Sequence, residues 1–446
     1  MDTPICDFVR AYRQKNALRL HMPGHKGKAF LGMEGMDVTE IPGADSLYEA
    51  EGIIHKSEEN ASRLFGCKTF YSTEGSSQCI KAMVYLAVQH AKMQGRRPLI
   101  AAGRNAHRSF VSALALMDCD VKWLYPKAGE SYLSCCPSPE DAAAFLQREK
   151  PTVLYLTSPD YLGHVADIQG IARVCKQQGV LLMVDNAHGA YLRFLQPSLH
   201  PMDLGADLCC DSAHKTLPVL TGGAYLHLNG AMERCFSPAA VKQALCLFGS
   251  TSPSYLILQS LDLANPYLAG HKQRLAGFLQ KAEKERQRLL QGGYTLLGQE
   301  PLKWTLHAKA YGYTGLSLAE ELRKRNVECE FCDLDYVVLM LAPELEGEVA
   351  ALAEILLSLP KKQEILSRPP AFSAAEQVLP IRQAVMAPGE TIPAKESAGR
   401  VLAAVTVGCP PAVPIIISGE RISTEAVECF RYYGITHVDV VRKEFL

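Results

Sequence analysis

Residues 151–191, PTVLYLTSPDYLGHVADIQGIARVCKQQGVLLMVDNAHGAY, decide the fold. Two short, nearly continuous apolar runs, VLYLTS and GVLLMVD, flank a segment whose apolar residues recur at helical spacing. Strands buried on both faces read in this way, and they belong to parallel sheets covered by helices. Working outward, residues 68–95, KTFYSTEGSSQCIKAMVYLAVQHAKMQG, give a short strand, a Gly-Ser turn and a helix, and residues 97–119, RPLIAAGRNAHRSFVSALALMDC, repeat the theme. Residues 206–228, ADLCCDSAHKTLPVLTGGAYLHL, read as strand, loop and strand. The expected class is therefore α/β, with a mainly parallel sheet.

The remaining segments set the expected domain order. Residues 1–60 are irregular and rich in Gly, His and Pro (HMPGHKGKAF, TEIPGADSLYEAEG), and read as an ordered arm. A large domain follows over 61–295, closed by the long helical stretch 265–293 that stops at two glycines. LKWTLHA, SLAEELRKRN, VECEFCDLDYVVLML and EGEVAALAEILLSL suggest a small α+β domain over 296–365, and 366–446 reads as a C-terminal lobe behind the Pro-containing boundary SRPPAFSAAEQVLP.

Bulk composition narrows the function. The chain has 446 residues, 48% hydrophobic and 21% charged, with a net charge of −1. Neither sign dominates, so nucleic acid and anionic membranes are not expected partners, and a small molecule or a second copy of the chain is. No apolar run reaches membrane-spanning length, and the first residues lack the apolar core of a signal peptide. Fifteen cysteines lie scattered through apolar segments, which suggests reduced thiols and a cytoplasmic protein. Cys329 and Cys332 have zinc-ligand spacing, but no second pair follows them, so no metal is expected.

Five polar clusters, STEGSS, RNAH, TSPD, DNAH and SAHK, fall at the ends of five expected strands. Ligands of open α/β sheets bind beyond the carboxyl ends of the strands. Gly75, Ser76 and Ser77 open a helix directly after a strand, where free N–H groups and hydroxyls suit a phosphate, although a serine there also serves as a helix cap. Asp185 ends an apolar strand with His188 three residues on, either as a capping acid or as the partner of a buried cation. Ser212, His214 and Lys215 stand together at another strand end, where Lys215 is either solvent-facing or chemically used. A phosphate cradle, an acid and a lysine at neighbouring strand ends are what pyridoxal 5'-phosphate requires. The lysine holds its aldehyde as a Schiff base, the acid keeps its ring nitrogen protonated, and the helix end takes its phosphate. His107, in RNAHRS, is then a candidate to stack on the ring.

With these motifs in place, the chain resembles the pyridoxal-phosphate-dependent ornithine/lysine/arginine decarboxylases, in the short form that lacks an N-terminal wing domain. The likeness runs through HMPGHKG, the Gly-Ser turn, RNAHRS, TSPDYLG, DNAHGA, SAHKTLPVLTGGA, STSPSYLILQSLD and the C-terminal AGRVLAA…CPPAVPIIISGE. It implies the aspartate aminotransferase-like fold (fold type I), with a three-layer α/β/α large domain, and decarboxylation of lysine, arginine or ornithine to cadaverine, agmatine or putrescine. Polyamine synthesis and acid tolerance are both open as the setting, and the short form and near-neutral charge lean toward synthesis.

On matching positions the resemblance makes Lys215 the Schiff-base lysine, Asp185 the ring-nitrogen partner and His107 the stacking residue, with His188 beside the ring. It makes Gly75, Ser76, Ser77, Ser212 and His214 phosphate or near-phosphate contacts. It also implies a homodimer or higher homo-oligomer with shared sites, in which Thr251 and Ser252 reach the neighbouring subunit's cofactor. Asp45 and Glu420 are candidates to receive the substrate's distal cation; their alternatives are a helix cap and a surface charge. Three departures from the family stand out: Asn186, where an acidic or small residue is common, and Cys409 and Ala412, where an aromatic residue and a glycine are usual. An aminotransferase or lyase of the same fold, a non-catalytic cofactor-binding relative and a nucleotide-binding protein are the rival readings. Among the arginines after the long helix, Arg323, Arg325, Arg368 and Arg382, none stands out as an aminotransferase carboxylate clamp.

Overall fold

The computed structural model describes residues 1–126, 131, 133–371, 373–409 and 413–446. Ala412 lies outside the described residues, as does the side chain of Cys409. A seven-stranded sheet is built from β1 (Lys68–Ser72), β2 (Leu99–Gly103), β3 (Asp120–Leu124), β4 (Val153–Thr157), β5 (Leu181–Asp185), β6 (Leu208–Asp211) and β7 (Ala224–Leu228). Its order is β1-β7-β6-β5-β4-β2-β3. The chain divides into two compact units, one of residues 1–98, 152–155 and 168–273, the other of residues 99–151, 156–167 and 274–446.

In the first unit β5 and β6 run parallel, while β7 is antiparallel to both β6 and β1. The link between Asp211 and Ala224, residues 212–223, holds the single helical turn Ala213–Thr216 and a loop. Three helices precede or follow β1: α1 (Pro4–Gln14), α2 (Ile53–Phe65) and α3 (Gly75–Met93). Gly66 stops α2 in the left-handed conformation, at φ +72°. The start of the arm is fixed by Asp262, whose carboxylate accepts the Ile5 and Cys6 N–H groups at 3.0 Å each and the Ser57 hydroxyl at 2.6 Å. The stretch expected as one long helix is broken at Gly270 into helices Tyr255–Ala269 and His271–Gln291.

In the second unit, β2 and β3 pair in parallel, and helix α4 (Arg108–Met117) follows β2. Residues 296–340 form an antiparallel sheet of β8 (Leu296–Leu297), β9 (Lys303–His307), β10 (Phe331–Cys332) and β11 (Tyr336–Met340), in the order β10-β11-β9-β8. Toward the C-terminus, β12 (Gly389–Pro393) pairs with β15 (His437–Val441), and β13 (Thr406–Cys409) with β14 (Val413–Ile417). Phe331 and Val338 share one buried core with Leu402, Ile415, Ile416, Phe430 and Val440. The segments expected as a small domain and a C-terminal lobe are thus packed on common apolar ground.

Both candidates for the distal cation make contacts within the fold, and Asp45 takes the helix-capping role that was its alternative. Asp45, at φ +67°, turns its carboxylate onto the N–H groups of Ser46, Glu51, Gly52, Ile54 and His55 at 2.8–3.4 Å, closing the start of α2. Glu420 is neither a surface charge nor an open acceptor: it is 1% exposed and pairs with Arg104 at 2.9 Å. Its Oε2 also accepts the Ile417 N–H at 2.8 Å, and Arg104 donates to the carbonyls of Pro414 and Ile415. Burial pushes the Glu420 carboxyl up from its ordinary range, against the pull of Arg104.

Removing one member of such a pair leaves a buried charge without its partner. Glu420→Ala should therefore cost about 3–5 kcal/mol in a denaturant titration followed by intrinsic fluorescence; a loss below about 1 kcal/mol would show that the pair is not holding β14 in place. Asp45→Ala should cost about 1–2 kcal/mol in the same measurement, the usual range for a lost helix cap.

Candidate active site

Because β1 and β6 both oppose β7, and β5 runs with β6, the carboxyl ends of β1, β5 and β6 lie along one edge of the sheet. Their last residues are Ser72, Asp185 and Asp211. Each is followed at once by a polar segment, so this edge collects the residues singled out at 73–77, 186–188 and 212–215.

At the end of β1 the chain turns into α3 through Gly75, at φ +70°, whose N–H donates to the Gly222 carbonyl at 2.8 Å. Glu74, at the cap position, places no side-chain bond on the helix start. Ser76 and Ser77 are half-buried in the first turn, and the Ser212 hydroxyl from the end of β6 donates to Ser76 Oγ at 2.8 Å. Hydroxyls from two strand ends thus meet at the positive end of a 19-residue helix, a geometry that suits an anion.

Asp185 is 2% exposed. One carboxylate oxygen accepts the Tyr155 hydroxyl at 3.0 Å, and the other accepts the Ala187 N–H at 3.2 Å and the Cys210 thiol at 3.7 Å. Burial, and then the Asp185 charge, raise the Tyr155 phenol well above its ordinary range, so it stays a donor. Among the described residues no Lys, Arg or His forms an ion pair with Asp185. A buried carboxylate held by neutral donors alone keeps its charge open to a cationic partner.

Lys215 sits on the turn Ala213–Thr216, half-buried, with Nζ 3.0 Å from Nε2 of the buried His188. Two residues three and four places past their strand ends are thereby joined by one hydrogen bond. His214 points elsewhere: its Nδ1 lies 3.0 Å from the Gly223 carbonyl, which can only accept, so this nitrogen carries a hydrogen.

In the second unit His107 follows β2 and caps α4, with Nδ1 accepting the Ser109 N–H at 3.2 Å and lying 2.9 Å from Ser109 Oγ. Thr251 and Ser252 are exposed in the turn before Tyr255, where the Ser252 N–H donates to Ser250 Oγ at 3.1 Å. Tyr155 was not anticipated. A tyrosine inside an otherwise apolar strand needs a partner for its hydroxyl when buried, and that was the available signal.

A family model described as "Orn/Lys/Arg decarboxylase, major domain" matches residues 3–300, and one described as "Orn/Lys/Arg decarboxylase, C-terminal domain" matches residues 370–439. Among curated proteins, the "Uncharacterized protein YaaO" of Bacillus subtilis is 31% identical, over 96% of this chain and 93% of its own length. An arginine decarboxylase of the same organism is 29% identical, over 96% of this chain and 92% of its own length. Among solved structures, lysine decarboxylase A from Pseudomonas aeruginosa aligns at a TM-score of 0.79 with 18% identity, over 98% of this chain and 80% of that one. The Escherichia coli constitutive lysine decarboxylase aligns at 0.75 with 17% identity, over 99% and 82%. At such identities the structural likeness speaks for the fold alone, whereas the two family models together account for most of the sequence. The chain belongs to the Orn/Lys/Arg decarboxylase family.

Proposed function

We propose that this chain removes carbon dioxide from a basic amino acid with the help of pyridoxal 5'-phosphate. Arginine, giving agmatine, is the first substrate to test. The observation that carries the reading is the sheet edge itself. It holds a buried carboxylate without a basic partner, a lysine bonded to a buried histidine, and a serine-lined helix start. The preference for arginine rests on the curated relatives of matching length, several of which carry the name arginine decarboxylase.

The residues present fit this cofactor. Asp185, held by Tyr155 and the Ala187 N–H, would accept the ring N–H and keep that nitrogen protonated. The start of α3, with Ser76, Ser77 and Ser212, would hold the phosphate, and Gly75, whose N–H is given to Gly222, would turn the chain into the helix. Lys215 would carry the aldehyde in the resting enzyme, and His107 would lie on the ring. When bound, such a cofactor supplies an aldehyde for amine capture and a ring able to take up the electron pair left behind as carbon dioxide departs. The chain supplies the proton handling. His188 Nε2 takes the proton from Lys215 Nζ when the amine must be neutral, and the pair returns a proton to the substrate carbon afterwards. His214 would act as a phosphate donor only through Nε2, since Nδ1 is engaged by Gly223.

An aminotransferase reading finds little support, because Arg323 and Arg325 face Glu328 and Glu321, and Arg382 donates to the Leu116 carbonyl. Several further points belong to the same proposal. The active form is a homodimer or higher homo-oligomer, in which the exposed Thr251 and Ser252 meet the neighbour's cofactor. The segments 1–60, 61–295, 296–365 and 366–446 act as arm, cofactor domain, small domain and C-terminal domain. The setting is cytoplasmic polyamine synthesis.

Purified protein supplied with pyridoxal phosphate should release carbon dioxide and amine in equal amounts, fastest from arginine when arginine, lysine and ornithine are offered separately. Lys215→Ala should release neither. Absence of product from all three substrates would contradict the proposal.

A further inference from the structure

Strand alternation separates the chemistry of the first unit onto two faces. In the β5·β6 register Asp185 stands beside Cys210 and Val184 beside Cys209, so Asp185 projects to one face, and Asn186 and Asp211 follow on the other. On that second face four polar side chains are joined. Asn186 Nδ2 donates to Asp211 Oδ1 at 2.7 Å, while His200 Nε2 and His227 Nε2 lie 3.1 and 3.0 Å from Asp211 Oδ2. All four residues are fully buried, and the Phe65 ring from α2 packs against His200 and His227.

The hydrogen positions follow from the partners. A carboxylate accepts only, so both histidines donate through Nε2 and Asn186 presents its amide nitrogen. The Thr69 hydroxyl donates to the Cys67 carbonyl at 3.3 Å, which leaves its lone pairs to face His227 Nδ1 at 3.0 Å. His227 thus meets a carboxylate at Nε2 and the Thr69 hydroxyl at Nδ1. Burial alone would lower its pKa, but the Asp211 charge outweighs this and holds it above the ordinary value. Burial would likewise raise Asp211, and His200 and His227 together drive it far below the usual range instead.

The cluster also contains His200, Cys209 and Asp211 at metal-ligand separations. The distances between nitrogen and oxygen are those of direct hydrogen bonds, and each carboxylate oxygen is already occupied, so a metal site is not the better reading. A different feature needs explaining: Asn186 Oδ1 is buried and has no hydrogen-bond partner among the described residues. Space for it is kept by Gly189, where an added Cβ would come 1.9 Å from that oxygen. An arrangement that leaves one acceptor unpaired in order to bring the amide nitrogen to Asp211 is not what packing alone would select.

We infer that Asn186, Asp211, His200 and His227 form a positioning network that sets, from the far face of the sheet, the relative placement of Asp185 and Lys215. Asn186 is the next residue after Asp185, and Lys215 lies four residues after Asp211 on the turn that opens at Ser212. A rigid tie between residues 186 and 211 therefore fixes the origins of both functional side chains. It also fixes where negative charge sits. With the carboxylate at 211 between two histidines, rather than at 186 beside Asp185, no second uncompensated acid adjoins the one that must meet a cation.

The inference rests on the cofactor reading above, and the test separates the two. Asp211→Asn and Asn186→Ala are compared with wild type in three measurements: cofactor affinity by absorbance titration, the melting temperature, and the pH profile of Lys215 acetylation by acetic anhydride in the cofactor-free protein, read on its peptide by mass spectrometry. Cofactor affinity should weaken about tenfold or more in Asp211→Asn, as expected when reacting groups are displaced by a fraction of an ångström. Its Lys215 profile should move by about half a pH unit or more. Asn186→Ala should shift both in the same direction, and the double variant should be no worse than Asp211→Asn alone, because the two residues act as one unit. If melting temperatures fall while affinity and the Lys215 profile stay at wild-type values, the network is merely structural and the inference is overturned. If wild type binds no cofactor, the cofactor reading fails, and the Lys215 profile still decides the inference. Should Asp211→Asn fail to fold, Asn186→Ala, which removes one bond and no charge, carries the decision.

Discussion

A carboxylate buried at the end of a parallel strand, with only neutral donors around it, is the constraint on which the rest depends. Asp185 has been taken out of water, and Tyr155, Ala187 and Cys210 supply hydrogen bonds but no positive charge. Such a group is costly unless the protein uses the charge. The neighbouring strand ends carry a lysine bonded to a buried histidine at one, and a helix start lined by serines at another. The fold delivers these three features to one edge because β1, β5 and β6 point the same way, which in turn follows from the antiparallel β7 between β1 and β6.

The two faces of the sheet divide the work. One carries Asp185, and the other carries a closed polar cluster in which every charge is balanced. A balanced cluster behind an unbalanced group is physically sensible, since two uncompensated acids on adjacent residues would compete for a single cation. The same economy appears in the second unit, where Arg104 and Glu420 neutralise each other in a buried position while Arg104 also gathers two carbonyls of β14.

Much of this was legible in the sequence, for local reasons. The strands 153–157 and 181–185 announce themselves as unbroken apolar runs, and the Gly-Ser turn and the polar residues after each strand fall where strand ends must be. The family resemblance follows from the same motifs, and the family models agree with it. What escaped was long-range. Nothing near Glu420 announces Arg104, 316 residues away, and nothing in GADSL shows that Asp45 adopts a left-handed backbone and gathers five N–H groups. The Asn186–Asp211 tie escaped for the same reason, because each residue taken alone reads as an ordinary turn residue.

The central claim is that the sheet edge is built to hold pyridoxal phosphate on Lys215. The most direct test is to load the protein with the cofactor, reduce it with borohydride, digest it and locate the added mass by peptide sequencing in the mass spectrometer. The account predicts one modified lysine per chain, in the peptide that contains DSAHKTLP, at Lys215. Modification at another lysine, or none in protein shown to be folded, would contradict it.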